Sequence, residues 1–136
     1  MYLLDSCICI DFMRGRIPNV RDFLQRSDPK LFGIPSIVEA ELLTGAARSS
    51  KPFQNRFIVE TFLEPFKKIP FDSHCAIEYA RIRAHLENKG MKIDANDMLI
   101  AATTLANGAV LATNNINEFE RVPGLSCESW HEIDFQ

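Results

Sequence analysis

The chain lacks the cysteine spacings that mark small zinc-binding or redox proteins. Its four cysteines are Cys7, Cys9, Cys75 and Cys127. No two of them have the two-residue gap of a zinc knuckle or a thioredoxin-type motif, and on a helix Cys7 and Cys9 would point to different sides. We therefore expect free, mostly buried thiols rather than a zinc site or a disulfide framework.

Long apolar runs and a strongly basic composition are also missing. No apolar run approaches the roughly 20 residues that span a bilayer, and Asp5 follows Met1 too closely for a signal peptide. We expect a cytoplasmic protein with no membrane contact. The net charge is −3 and the pI is about 5.6, which argues against a general nucleic-acid coat protein. A nuclease stays open, because an enzyme that holds metal ions must gather acids.

What the chain does have is the composition of an ordinary globular domain. Its hydrophobic fraction is 46% and its charged fraction 24%. The length of 136 residues fits a single domain over 1–136, which buries roughly two thirds of its unfolded surface and needs no disulfides. No internal repeat, low-complexity tract or linker is visible.

Short apolar segments alternate with segments of helical periodicity. The predicted strands are 2–4, 31–34 (ended by Pro35), 69–71, 109–113 and 125–128. The predicted helices begin after Asp5 and cover 19–27, Ser36 to near Gly45, 53–67, 74–89 and 95–107, with Gly90 and Gly108 ending the last two. Strands that are apolar throughout and alternate with helices predict a parallel sheet covered on both faces. The site of such a fold lies beyond the carboxyl ends of its strands.

Two acids in the first half of the chain stand where such a site is expected. Asp5 follows the first strand, where it can cap the next helix or serve the site. Glu41 falls beside Ile37 within the apolar stripe of its helix, whereas Glu39 falls outside it. A carboxylate that faces inward must be paired or bind a metal, so Glu41 is a candidate ligand, with a buried salt bridge as the alternative.

Two more candidates lie in the second half. Asp97 is in the first turn of an alanine-rich helix that Asp94 is placed to cap, and a carboxylate is favourable at that helix end. Ala101, one turn along, leaves space above Asp97 for an ion or a phosphate. Glu118 follows the segment 113–115, which by itself indicates an asparagine-rich turn.

Acids that converge at one end of a sheet repel one another, so at neutral pH they need a bound cation or retained protons. Oxygen ligands without His or Cys favour Mg²⁺ or Mn²⁺. The matching chemistry is phosphodiester hydrolysis, in which the metal activates water, steadies the leaving oxygen and neutralises the phosphate.

The ordered set of motifs resembles a known family. The opening YLLDSCICI, the segments PSIVEAELLTG and KGMKIDANDMLIAATTLANGAVLATNNINEFERVPGL, and the closing Trp130 resemble the VapC toxins, PIN-domain ribonucleases of bacterial toxin–antitoxin pairs. The resemblance implies an α/β fold of PIN type, a Rossmann-like three-layer α/β/α arrangement with a short four- or five-stranded parallel sheet. It also implies Mg²⁺- or Mn²⁺-dependent endonuclease activity on RNA, a homodimer, and inhibition by a VapB-like antitoxin that itself binds promoter DNA.

The resemblance also assigns the site residue by residue. The first three acids of the family fall on Asp5, Glu41 and Asp97. The fourth falls on Glu118, because Asn115 stands where many members have an aspartate, and Asp94 is the alternative. Residues expected to support the acids are Ser6, Asp94, Asn96, Thr113, Asn114 and Asn115.

One motif departs from the family pattern. Asp5-Ser6-Cys7 stands where the family usually has Asp-Thr-Asn. Ser6 keeps the hydroxyl of the family's threonine. Cys7 replaces an amide by a thiol, which puts a supporting hydrogen bond in doubt but leaves the metal ligand, Asp5, unchanged. Asp94 replaces a small residue, and either adds a water-mediated metal contact or only caps its helix.

Two other functions remain open on the sequence. A receiver-type phosphotransfer domain also gathers acids at strand ends, but no lysine follows a late strand in the place needed to hold the phosphoryl group. A non-catalytic PIN-like module that binds RNA or protein would lose an acid, and the fourth position keeps this alternative open. The aromatic residues of the predicted 53–67 helix favour core or subunit packing over base stacking: Phe53, Phe57, Phe62 and Phe66.

Overall fold

The computed structural model describes residues 1–16 and 18–130. Its strands are β1 (Tyr2–Leu4), β2 (Phe32–Pro35), β3 (Lys67–Ile69), β4 (Val110–Ala112) and β5 (Cys127–Glu128). Its helices are α1 (Ser6–Arg14), α2 (Pro18–Arg26), α3 (Ser36–Arg48), α4 (Pro52–Leu63), α5 (Ser73–Asn88), α6 (Ala95–Ala106) and α7 (Ile116–Phe119), with a 3₁₀ turn at Pro29–Leu31.

All the strands pair in parallel in one sheet, in the order β3-β2-β1-β4-β5. The central strand β1 places Leu3 opposite Gly33 on β2 and Leu111 on β4. Leu3 and Leu4 are both fully buried, so both faces of β1 are covered, as a parallel sheet with helices on each side requires. The covered parallel sheet predicted from the alternating pattern is confirmed, and so is the three-layer α/β/α fold with four or five strands that the family resemblance implied.

The core extends to the end of the described chain through an aromatic cluster. The Trp130 ring lies 5.6 Å from Tyr2 and 5.5 Å from Phe23, centroid to centroid, both edge to face. It also meets Phe32 of β2 at 6.0 Å. Edge-to-face aromatic pairs contribute beyond their buried area, so Trp130 ties the segment after β5 to the first two strands.

Most predicted boundaries agree with the structure to within one or two residues, and Gly90 and Gly108 end their helices with positive φ values of 67° and 58°. Three boundaries were wrong. Helix α3 continues past Gly45 to Arg48, because one helical glycine weakens a helix without ending it. Strand β2 includes Pro35 as its last residue, where no further ladder bond is needed.

The segment around β3 was the third error. Helix α4 ends at Leu63 rather than near 67, because Pro65 offers no backbone N–H to continue it. Strand β3 lies at Lys67–Ile69, two residues before the predicted 69–71. The strand was missed because two of its three residues, Lys67 and Lys68, are charged and break the apolar pattern. The Lys68 ammonium group is accommodated by donating to the carbonyl oxygens of Leu63 and Phe66, at 2.5 and 3.0 Å.

The aromatic residues of the predicted 53–67 helix divide into two groups. Phe62 and Phe66 are buried and their rings lie 5.3 Å apart, which confirms core packing for these two. Phe53 and Phe57 are 90% and 69% exposed, so the core accounts for neither. Among the described helices, none combines the length and the apolar composition that crossing a membrane requires.

Gly33 gives a stability prediction. A Cβ built on Gly33 would lie 2.8 Å from Leu3 Cδ2 and 2.9 Å from Ile69 Cγ1. Gly33→Ala should therefore lower the free energy of unfolding by about 1–3 kcal/mol through overpacking, measured by urea denaturation.

The matched control is Gly45→Ala, since a Cβ on Gly45 meets nothing within 4 Å. That change should raise stability by about 0.5–1 kcal/mol, the helix-propensity difference. Equal effects of the two substitutions would show that strand packing around Gly33 is looser than described.

Candidate active site

The site begins where the strand order changes direction. Strands β2 and β3 lie on one side of β1, and β4 and β5 on the other. The chain builds β2 and then β3 on one side of β1, and it then crosses to β4 on the other side. Such a reversal opens a crevice at the carboxyl end of the sheet, beside β1. Asp5 is the residue at that point, and its backbone N–H donates to the Ala112 carbonyl of β4 at 3.0 Å.

Asp5 is held in place from three directions. As the N-cap of α1, its Oδ1 accepts from the Ser6 backbone N–H at 2.8 Å. Its Oδ2 accepts from Thr113 Oγ1 at 2.7 Å and from the Cys7 thiol at 3.5 Å. The carboxyl group is only 5% exposed. Burial raises the pKa of Asp5 above its ordinary value, although the bonds from Thr113, Ser6 and Cys7 act to lower it.

The Cys7 sulfur contacts three groups beside the site, on Asp5, Thr113 and Asn114. Besides donating to Asp5, its sulfur accepts the Asn114 backbone N–H at 3.4 Å and lies 3.8 Å from Thr113 Oγ1. Burial, and then the charge of Asp5, raise the Cys7 pKa to about 12. The group is therefore a neutral thiol at physiological pH, and it retains the supporting hydrogen bond that the sequence left at stake.

Glu41 projects from α3 toward the same crevice. Its Oε1 atom is buried and has no hydrogen-bond partner among the described residues. Its pKa is raised, first by burial and next by the negative charge of Asp5, while hydrogen bonds from Asn96 and Ser6 lower it. No salt bridge to Glu41 occurs within residues 1–16 and 18–130, so the buried-pair alternative has no support in the structure.

Asp97 and Glu118 form a carboxyl–carboxylate pair. The pKa of Asp97 is raised to about 8 by burial, by its hydrogen bond to Glu118, and by the charges of Glu118, Asp5 and Asp94. Burial alone would raise the Glu118 pKa too, but bonds from the Asp94 backbone N–H, Asp97 and Asn115 lower it. The two groups titrate as a coupled pair, in which the pKa of Asp97 is raised and that of Glu118 is lowered.

Asp94 caps α6 and also helps to place the fourth acid. Its side-chain Oδ2 accepts from the Asn96 N–H at 3.0 Å, which is the capping role predicted from the sequence. Its own backbone N–H donates to Glu118 Oε1 at 2.8 Å. The side chain of Asn115 donates to the other Glu118 oxygen. Glu118 thus stands within the acid cluster, on a four-residue helix α7 that the sequence had indicated only as a turn.

The structure places most of the proposed supporting residues around the acids. Thr113 is fully buried and its hydroxyl also accepts the Asn115 backbone N–H at 3.0 Å. The side chain of Asn114 instead donates from Nδ2 to Asp11 Oδ2 at 3.0 Å. Asp11 was not predicted. Its position four residues after Cys7, on the same face of α1, was the available signal.

The donor set fits a hard divalent cation. Every candidate ligand is a carboxylate oxygen, the set that Mg²⁺ and Mn²⁺ prefer. The Glu41 Oε1 atom has no hydrogen-bond partner among the described residues. Burial, and then the charges of neighbouring acids, raise the pKa of Asp5, Glu41 and Asp97, so a cation would relieve an existing repulsion. Among the described residues, no three acidic, His or Cys side chains already stand close enough to enclose an ion, so binding requires the carboxylates to turn inward.

The fold and the acid cluster agree with the comparison against protein-family models. The family model described as the PIN domain matches residues 2–125 of the sequence. The chain therefore belongs to the PIN-domain family.

The relatives that it resembles are VapC ribonucleases. The ribonuclease VapC2 of Rickettsia felis is 37% identical over 131 residues, 96% of this chain and 98% of the relative. The tRNA(fMet)-specific endonuclease VapC of Salmonella typhimurium is 33% identical over 129 residues, 95% of this chain and 97% of the relative. A chain in the crystal structure of Rickettsia felis VapBC2 bound to a fragment of its promoter DNA matches with a TM-score of 0.89 at 37% identity, over 95% of this chain and 98% of that one.

The Cys7 contacts give a prediction that separates hydrogen bonding from packing. Cys7→Ala removes the donor to Asp5 and the acceptor for Asn114, so it should lower stability by about 1 kcal/mol. Cys7→Ser keeps both roles and should lie closer to the parent protein. Chemical denaturation of the three proteins side by side measures the order, and a serine variant as unstable as the alanine variant would show that sulfur packing, not hydrogen bonding, is what counts.

The Asp97 pKa gives a pH prediction for protein kept in EDTA. The folded state holds a proton that the unfolded state releases, between the ordinary pKa of 3.8 and about 8. Its contribution to stability is therefore lost as the pH rises through that window. Asp97→Asn cannot ionise, so its stability advantage over the parent should grow from pH 4 to pH 8, as followed by thermal unfolding. A constant difference over that range would refute the raised pKa.

Proposed function

We propose that this chain is a divalent-metal-dependent endoribonuclease that acts as the toxin of a type II toxin–antitoxin pair. The observation that carries the proposal is the convergence of Asp5, Glu41, Asp97 and Glu118 at the carboxyl end of the central strand, where burial, and then the charges of neighbouring acids, raise the pKa of the first three. Structural carboxylates are normally neutralised by basic partners, whereas these face one another.

Mg²⁺, or alternatively Mn²⁺, is the proposed cofactor, held by the four acids. When bound, the ion supplies an activated water and neutralises charge on the phosphate. The protein's own residues set the geometry. Thr113 and Ser6 fix the two oxygens of Asp5, and Asp94 and Asn115 fix those of Glu118.

Helix α6 contributes a second electrostatic element. Asp97 lies in its first turn, where backbone N–H groups and the helix dipole favour negative charge. The helix end that stabilises the carboxylates also stabilises an approaching phosphodiester. Stabilisation of charge that develops during cleavage is the main contribution expected of such a site, so no single side chain is assigned as the general base.

The substrate and partners follow from the relatives. One is named a tRNA(fMet)-specific endonuclease, and solved neighbours are VapBC complexes bound to DNA. We propose an RNA substrate, a VapB-like antitoxin partner, and promoter DNA contact only through that antitoxin. A cytoplasmic location fits the free thiols of the chain.

We also propose that the protein is a homodimer. Three large apolar side chains are well exposed, namely Phe53, Phe57 and Ile77, at 90%, 69% and 67%. Exposed apolar residues that cluster on helices are typical of surfaces that associate. Phe53 and Phe57 are four residues apart on α4 and share one face.

The nuclease proposal is tested by cleavage of total bacterial RNA with the purified protein in Mg²⁺, in Mn²⁺ and in EDTA. Asp5→Asn keeps the shape of the side chain but removes its charge, so it should reduce the rate by at least about a hundredfold while the protein stays folded. The control is Asp22→Asn, an exposed acid of α2 that forms an ion pair with Arg26, and it should cleave like the parent.

Discrete metal-dependent fragments that disappear in Asp5→Asn would support the proposal and identify the RNA to sequence. Folded, antitoxin-free protein that cuts no RNA with either metal would refute it, and the non-catalytic RNA- or protein-binding module would replace it. Cleavage that persists unchanged in Asp5→Asn would show that the activity comes from another site or a contaminant.

A further inference from the structure

Gly45 lies inside helix α3 without a visible reason within the chain. It is absent from the glycines with positive φ, so an ordinary residue would adopt its backbone conformation. A Cβ at this position would meet nothing within 4 Å, so no neighbouring element needs the space. Glycine destabilises a helix interior relative to alanine. Since neither the backbone nor the packing requires glycine here, we interpret the missing side chain as space for a ligand.

The open space beside Gly45 is a pocket between α1, α3 and α4. Its volume is about 310 Å³, within the range of about 300–1,000 Å³ usual for small-molecule sites. The walls are mostly apolar, and Met13, Leu42 and Ile58 contribute to them. Glu41 also lines the pocket, so it is continuous with the acid cluster at the carboxyl end of β1.

Two polar residues that line the pocket, Asn55 and Arg14, have groups without a partner among the described residues. Asn55 Nδ2 donates to Ser49 Oγ at 2.8 Å, and Ser49 Oγ donates to the Ala46 carbonyl at 2.6 Å. These two hydrogen bonds fix the orientation of the Asn55 amide. The amide oxygen accepts no hydrogen bond from the described residues. Arg14 also lines the pocket, and its guanidinium has no carboxylate partner in the described part of the chain.

We propose that this pocket binds one unstacked base of the RNA next to the cleaved phosphate. The inference rests on the nuclease function proposed above. The base would lie against the bare backbone of Gly45, Asn55 would meet its polar edge, and Arg14 would bind a backbone phosphate. An apolar slot with a fixed amide and an unpaired guanidinium matches a nucleotide, which joins a flat apolar ring to an anion.

The first test does not depend on cleavage. Full-length ¹⁵N-labelled protein is titrated with the 5′-monophosphates of adenosine, guanosine, cytidine and uridine, and with ribose 5-phosphate, which lacks a base. At least one nucleotide should shift the amide signals of Gly45 and Asn55 at concentrations where ribose 5-phosphate does not. Equal shifts with ribose 5-phosphate, or no shifts with any of the four nucleotides, would overturn the proposal.

Three variants locate the binding. Gly45→Leu fills the pocket from a position where the added side chain meets open space, so it should fold and lose nucleotide affinity by about tenfold. Asn55→Ala should weaken binding without filling space, which keeps the test valid if the leucine variant does not fold. The matched control is Gln54→Ala, a neighbouring exposed amide outside the pocket, and it should bind like the parent. Affinity unchanged in both pocket variants would overturn the assignment.

RNA cleavage then separates the two proposals. Gly45→Leu should raise KM for the cleaved RNA by about tenfold with kcat nearly unchanged, as expected when binding shared by substrate and transition state is lost. Protein that binds nucleotides in the pocket but cuts no RNA would refute the nuclease and not the pocket. Cleavage with a parental KM in Gly45→Leu would refute the pocket and not the nuclease. Loss of antitoxin binding alone in this variant would assign the pocket to a peptide and overturn the inference.

Discussion

The hydrogen bond from Thr113 to Asp5 joins the carboxyl ends of the two strands on which the site depends. It spans 2.7 Å between buried groups, and it connects residues 108 positions apart in the chain. Around it, Asp5 caps α1, Thr113 accepts the N–H that begins the turn into α7, and Cys7 lies against both. Three features therefore depend on the hydrogen bond between Thr113 and Asp5: the geometry of the crevice, the start of the first helix and the placement of Glu118. A substitution that removes this bond would disturb all three.

A second constraint is the repulsion that this arrangement creates. Burial and like charges raise the pKa of Asp97 to about 8, and Glu41 has a buried oxygen without a hydrogen-bond partner among the described residues. Such groups lower stability in the absence of a cation, so the arrangement of the acids does not serve folding. The surrounding apolar strands and the Trp130 cluster offset that cost.

The sequence predicted the sheet well, because a parallel sheet follows from local patterns, and the four acids that it proposed lie near one another in the structure. Apolar strands such as β1 and the alternation with helices indicate a parallel sheet without further information, and acids at strand ends follow from the topology. The errors have different physical causes. Gly45 weakens α3 without ending it, and the lysines of β3 hide a strand that forms by pairing with β2. Helix α7 was missed because Glu118 is held by a contact with Asp94, 24 residues earlier. Helical spacing places Asp11 on the face of Cys7, but its contact with Asn114 lies across the fold and is not given by that spacing.

The lysines of β3 have a consequence for how copies of this protein can meet. Strand β3 forms one border of the sheet, and Lys67 is exposed there. A border strand offers unpaired backbone groups to any other extended chain, and charged side chains on it disfavour that approach. Growth of the sheet from molecule to molecule is therefore discouraged on this side, and joining into fibres through this edge is disfavoured.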